Sequence, residues 1–162
     1  MNRLRPAMYR LAREVAEQRA EFAASSHLTQ AHGYDGDRLA LDLRGAMAEA
    51  FVSQEYGIEC DGVRIEGDWT EPDVGWVDVR STSYSNGCLL LHEDSPEGRI
   101  FVLVIIPETA PWASLWIPGW CYGREGKLPR FWRDDVRSPA YFVPQSHLHD
   151  PTTLLEERCL VL

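Results

Sequence analysis

Asp73, Asp78 and Arg80 fall close together in the run Glu71-Pro72-Asp73-Val74-Gly75-Trp76-Val77-Asp78-Val79-Arg80. Two carboxylates and a guanidinium in that pattern suit phosphodiester cleavage. The reaction needs a cation that polarises the phosphate and lowers the pKa of an attacking water. Mg²⁺ does this while held by a few carboxylate oxygens and waters, and Mn²⁺ can take its place. Side chains two apart on a strand share a face, so Asp78 and Arg80 are expected to point together, with the Val79 carbonyl as a further metal ligand. Asp73 is the second carboxylate, and Glu49, from the helix before it, a third. The spacing sets a condition. Residues five apart on a regular strand face opposite sides, so Gly75 has to bend or bulge the chain before Asp73 and Asp78 can meet. A plainer reading makes these acids the solvent face of an edge strand, with Asp78 and Arg80 a local ion pair.

The elements that must carry this cluster are legible from periodicity. Leu4, Met8, Leu11 and Val15 recur at helical spacing and predict an amphipathic helix over 3–24. After the polar break from Gly33 to Gly36, Asp37 can cap a second helix. In it Leu39, Leu43, Ala46, Met47, Ala50 and Phe51 share one face, Glu49 sits at the edge of that face, and Gly57 ends the helix. From about residue 58 the period changes to two. Strands are expected at Val63–Ile65, Val77–Ser81, Cys88–His92, Ile100–Ile106 and Ala140–Val143. The continuously apolar Ile100–Ile106 should be central and buried. Glu93–Gly98 reads as a hairpin loop between its neighbours. Pro107, Pro111, Pro118 and Pro129 are expected to cut the aromatic region 112–132 into short pieces. Asp150-Pro151-Thr152 is a helix-start signal. The order predicts a single α/β domain: N-terminal helices, then a mixed central sheet flanked by helices.

Pro72-Asp73 followed by Asp78-Val79-Arg80 resembles the signature of the PD-(D/E)xK nuclease superfamily, which includes restriction endonucleases and phage and repair nucleases. The helix acid Glu49, at the end of Gly45-Ala46-Met47-Ala48-Glu49, fits the same pattern. Three blocks together resemble small phage-encoded members: Pro72-Asp73 through Asn86-Gly87, Phe101-Val102-Leu103-Val104, and Ala140-Tyr141-Phe142-Val143-Pro144-Gln145-Ser146. The resemblance spans 37–148. It implies a restriction endonuclease-like domain over 37–162, with 1–36 as an N-terminal helix and connector. It further implies a phage-derived, Mg²⁺-dependent nuclease acting on DNA, with Asp73, Asp78, Glu49 and the Val79 carbonyl at the metal. A homodimer is one way to cut two strands. Two departures stand out. Arg80 replaces the usual lysine and cannot serve as a general base, and Asp73 and Asp78 lie closer than the family's usual hairpin allows. A catalytically silent relative, binding DNA or a protein in phage assembly or host interference, is the alternative.

Bulk properties bear on partners. A net charge of −9 is the wrong sign for a protein that lives on DNA, where neutralising phosphates supplies affinity. Of the sixteen Lys and Arg residues only Lys127 is lysine, and Arg is the better reader of phosphates and base edges. No apolar run is long enough for a membrane span, and the doubly charged N-terminus is no signal peptide, so a cytoplasmic protein is expected. Cys60, Cys88, Cys121 and Cys159 form no close pair of zinc type and read as reduced, core-filling residues. His147, His149 and Asp150 loosely resemble a metal cluster but read more simply as surface residues, as do His27 and His32. His92 could approach the site. Ser81-Thr82-Ser83 could meet phosphate or merely end a strand. Trp112, Trp116, Trp120, Tyr122, Phe131 and Trp132 could stack bases, with Arg124, Arg130 and Arg133 on phosphates. Core packing is the simpler account of the aromatics.

Overall fold

A computed structural model of the chain describes residues 2–25, 37–58, 71–109 and 114–158. The fold is mixed α/β, with two small sheets and helices on one side. The strand expected at Val63–Ile65, His27, His32, Cys60, Trp112 and Cys159 lie outside the described residues.

Helix α1 runs Pro6–Ser25 and α2 runs Arg38–Tyr56. Proline in the first turn of α1 costs nothing, because its missing N–H would have no helical partner there. Asp37 caps α2, its carboxylate accepting from Leu39 N at 3.0 Å and Ala40 N at 3.4 Å. Gly57 ends that helix at φ +63°, the left-handed conformation that glycine adopts without a Cβ penalty. The helices pack through small residues: Ala12, Val15, Ala16 and Ala23 of α1 and Ala46, Ala48 and Ala50 of α2 are all buried. The buried stripe of α2 begins only at Ala46. Leu39, expected on the core face, is 42% exposed, because the first turn extends beyond the part of the helix that the sheet covers.

The first sheet has the order β1 (Val77–Thr82), β3 (Ile100–Ile105), β4 (Trp116–Tyr122). β1 and β3 are parallel, Val77 pairing with Ile100 and Thr82 with Ile105, and β3 and β4 are antiparallel. All six residues of β3 are buried, as its unbroken apolar run predicts. Alternation divides them between two cores. Ile100, Val102 and Val104 join the helices, together with Val77 and Val79. Phe101, Leu103 and Ile105 face a second sheet of β2 (Leu89–Leu91), β6 (Ala140–Val143) and β5 (Trp132–Arg133). The central sheet is therefore flanked by helices on one face and by another sheet on the other, where flanking by helices was expected.

That layering corrects two local expectations. Glu93–Gly98 is no hairpin loop, because β2 pairs with β6, Leu89 opposite Val143, and never with β3. Parallel β1 and β3 need a crossover, and β2 supplies part of it. The connection turns the corner between sheets through Ser95 N to His92 O and Arg99 N to Pro96 O, and Lys127 Nζ holds it by donating to the carbonyls of Glu93 and Ser95. Pro118 does not break its region either, since it lies inside β4. The β3–β4 register slips by one residue between Leu103 and Ile105, and such a bulge on an outer strand tolerates a residue without an N–H. Trp120, on the same strand, is buried, its indole N–H donating to Asp150 O and Thr153 Oγ1. Core packing accounts for it. Past β6, Asp150 caps the turn leading into α3 (Leu154–Arg158). No described helix is long and apolar enough to cross a membrane.

Candidate functional site

The site is built on a two-residue turn. Val74 and Val77 exchange backbone hydrogen bonds, 3.0 Å from Val74 N to Val77 O and 2.9 Å in return, with Gly75 and Trp76 between them. Gly75 has φ +54°, the conformation that turns of this primed class require at their first central residue. An added Cβ would run into Ile58 Cγ2, so glycine is needed there twice over. The chain reverses instead of bulging. Asp73 is returned alongside β1, where one of its oxygens accepts from the backbone N–H of Val79 at 2.8 Å.

Around that bond the charges form a chain. Arg80 Nη1 lies 3.5 Å from Asp73 Oδ2 and donates to the Val79 carbonyl at 3.2 Å, with its guanidinium over the Phe101 ring. Arg99, just before β3, pairs with Asp78 at 3.3 Å. Arg19 of α1 holds Glu49 of α2 through two bonds of 2.9 Å, one to each carboxylate oxygen. Each acid thus has its own arginine. Exposure is graded: the Asp78 side chain is 8% exposed and Glu49 14%, whereas Asp73 and Arg80 are 32% and 34%. The open end of the cluster is Asp73 and Arg80.

Burial pushes the Asp78 carboxyl up, and the charge of Asp73 pushes it further, against Arg80 and Arg99. Burial likewise pushes Glu49 up, while the Arg19 hydrogen bonds pull the other way and Asp73 adds repulsion. Asp73 and Arg80 act on both acids. Alternation explains why they are the link. Val77 and Val79 face the helical core, so Asp78 and Arg80 take the opposite face of β1, while Glu49 approaches from α2 on the helical side. Consistently, no group of three potential metal-ligating side chains occurs among the described residues.

This arrangement decides which expected ligands fit a divalent cation. Asp73 and Asp78 repel each other, a repulsion that a cation between them would relieve, and Mg²⁺ commonly binds through one or two carboxylates plus waters. Glu49 as held does not fit, because both its oxygens are engaged by Arg19. The Val79 carbonyl as held is occupied by Arg80. Arg19 and Arg99 were not singled out from the sequence. Nothing local marks Arg19, which is one polar residue of an amphipathic helix. Arg99 becomes legible only once β1 and β3 are known to run parallel with their starts aligned.

The remaining candidates have structural partners. His149 stacks on Trp120 with ring centroids 4.4 Å apart and bonds Glu125, and His147 meets the edge of Phe131. His92 lies after β2 in the second sheet, its backbone N–H donating to Ser95 Oγ. Thr82 Oγ1 accepts from Tyr84 N, and Ser83 Oγ reaches Glu108. Arg124 and Arg130 lie over Tyr122 and Phe131, and Arg133 pairs with Asp135. Cys121 is a buried free thiol pushed up to about 12 by that burial, and Cys88 is half-buried and free. Comparison of the chain with protein-family models, with curated proteins and with solved structures finds no match in any of the three.

Proposed function

We propose that the chain is a nuclease-like protein of the PD-(D/E)xK type, restriction endonuclease-like in fold and phage-derived, acting on DNA phosphodiesters. The observation that carries this reading is the Gly75 turn, which returns Asp73 to the backbone N–H of Val79, next to Asp78 and beside the partly exposed guanidinium of Arg80. Asp73 and Asp78 would hold Mg²⁺ or Mn²⁺. Bound there, the ion would polarise the phosphate and supply a hydroxide-like water. Arg80 is held loosely at 3.5 Å and can exchange Asp73 for a phosphate oxygen, stabilising charge without taking a proton. Glu49, fixed by Arg19, shapes the field at Asp73 and is not itself a ligand. A homodimer in the host cytoplasm would present two such centres to two strands.

A second reading has its own observation. With one arginine on each of three acids, and a chain at −9, the cluster is already neutralised from within. That favours a catalytically silent relative that keeps the fold for binding DNA or protein. Incubation with plasmid, linear and single-stranded DNA plus Mg²⁺ or Mn²⁺ separates the two, with Asp78→Ala alongside and Mn²⁺ binding followed by calorimetry. Metal-dependent cutting lost in Asp78→Ala supports the nuclease. Cutting that survives the substitution removes the site assignment. No cutting and no Mn²⁺ uptake gives the silent relative.

A further inference from the structure

The end of β1 carries a feature that the acid cluster does not use. Tyr84, four residues beyond Arg80, is 72% exposed, more than any other large apolar residue described. Exposed tyrosines are common on mobile loops, but the backbone here is held from several sides. Tyr84 N donates to Thr82 Oγ1, and Gly87 N closes the turn on Tyr84 O at 2.9 Å. Gln145, which follows β6 in the second sheet, donates its amide to the carbonyls of Ser85 at 2.9 Å and Gly87 at 3.0 Å. At Gly87 the turn is too tight for a side chain, since a Cβ would meet Thr82. Ser83 is tied in turn to Glu108. The turn is fixed, and its ring stands in solvent without a ring partner among the described residues.

A rigid aromatic held out in water has given up apolar burial and loses little conformational freedom on binding, the profile of a preorganised stacking platform. Four residues of chain span at most about 14 Å even when fully extended, so the ring is within the reach of a short bound strand whose phosphate sits at Arg80. The residues between them, Ser81, Thr82 and Ser83, are uncharged, and the acid beside them is Glu108, at Ser83 Oγ. Stacking on a protein ring needs a base whose face is free, which a paired base inside a duplex does not offer.

We infer that Tyr84 is a base-stacking residue and that the DNA taken at Asp73, Asp78 and Arg80 is single-stranded or locally unpaired. The inference rests on the nuclease-like reading above and names its substrate class.

The test is fluorescence anisotropy with a fluorescein-labelled 20-nucleotide strand and the same strand as a blunt duplex, at low salt. The intact protein, Tyr84→Ala and Tyr84→Phe are compared. The expected result is tighter binding of the single strand than of the duplex. Tyr84→Ala should weaken single-strand binding by about tenfold, in line with loss of one base–aromatic stack, and leave the duplex unchanged. Tyr84→Phe should bind like the intact protein, because the ring and not the hydroxyl is used. Equal single-strand binding by Tyr84→Ala overturns the inference while leaving the nuclease-like reading intact. So does a loss in Tyr84→Phe as large as that in Tyr84→Ala, which would mark a hydroxyl contact instead. Failure of the intact protein to bind any DNA removes the nuclease-like reading and the inference with it.

Discussion

Gly75→Ala is the perturbation that most directly tests the geometry of the turn, because Gly57 provides its internal control. Both glycines are left-handed, φ +54° at Gly75 and +63° at Gly57. An alanine forced into that conformation costs about 1–2 kcal/mol. At Gly57 nothing lies within 4 Å of the added Cβ, so this conformational cost is all that Gly57→Ala should show. At Gly75 the Cβ also meets Ile58 Cγ2, and Ile58 is a buried core residue only 6% exposed that cannot simply swing aside. Overpacking of that kind adds about 1–3 kcal/mol. The total for Gly75→Ala is therefore about 2–5 kcal/mol. For a chain of this length each kcal/mol moves Tm by roughly 2–4 °C, so Gly75→Ala should melt roughly 10 °C low and Gly57→Ala about half as far. Thermal melts followed by far-UV circular dichroism, with urea titrations to give free energies, make the comparison. The double variant Gly75→Ala/Ile58→Ala should cost less than the sum of the single changes, since the second removes the atom that the first strikes. Equal destabilisation by Gly75→Ala and Gly57→Ala, or strict additivity with Ile58→Ala, would refute the packing argument and with it the claim that the turn is pinned against α2's end.

Two further outcomes follow from the buried charges. Arg19→Met should destabilise by about 3–5 kcal/mol, because it strands Glu49 without a partner inside the helix interface, whereas Arg19→Met/Glu49→Leu should recover most of the loss; urea titration of the three proteins measures both. Asp78 binds protons more tightly folded than unfolded, so its contribution favours the folded state most near and below pH 4 and is lost as pH rises from there through the raised folded value. The stability of the intact protein relative to Asp78→Asn should accordingly fall as pH rises above the ordinary carboxylate range, and an unchanged or rising difference would show that Arg99 outweighs burial.

What the sequence disclosed and what it withheld divide along the range of the interactions. The α2 caps at Asp37 and Gly57, the buried strand β3 and the stop after β6 are written within a few residues of where they act. Pairing is not. β2 finds its partner β6 some fifty residues on, and nothing in Cys88–His92 distinguishes a strand of the first sheet from one of the second. Pro118 misled for a related reason. Its missing N–H matters only where the ladder needs it, and the β3–β4 bulge removes that need. At the site, the sequence named the acids and the glycine that joins two of them, because a turn is local. It could not say that Glu49 approaches from the helical face while Asp78 leaves by the other, since that depends on which side of β1 the helices cover.

This last point governs what chemistry the cluster can support. Val77 and Val79 anchor β1 in the helical core with less than a tenth of their surface exposed, so a flip of the strand to bring Asp78 toward Glu49 would place both valines outside it. Nor is Glu49 free to come round the edge of the strand, because Arg19 grips both its oxygens across the packed α1–α2 interface. A cation entering the cluster therefore meets Asp73 and Asp78, with Arg80 as the only one of the three arginines whose pair is both long and about one-third exposed. Two carboxylates, waters and a substrate phosphate satisfy a single Mg²⁺. Were an ion bound there, Arg80 could not accept the proton of an attacking water. If the chain cleaves phosphodiesters, that proton would have to pass to the phosphate itself or to solvent, and Arg80 would have to leave Asp73 for the phosphate.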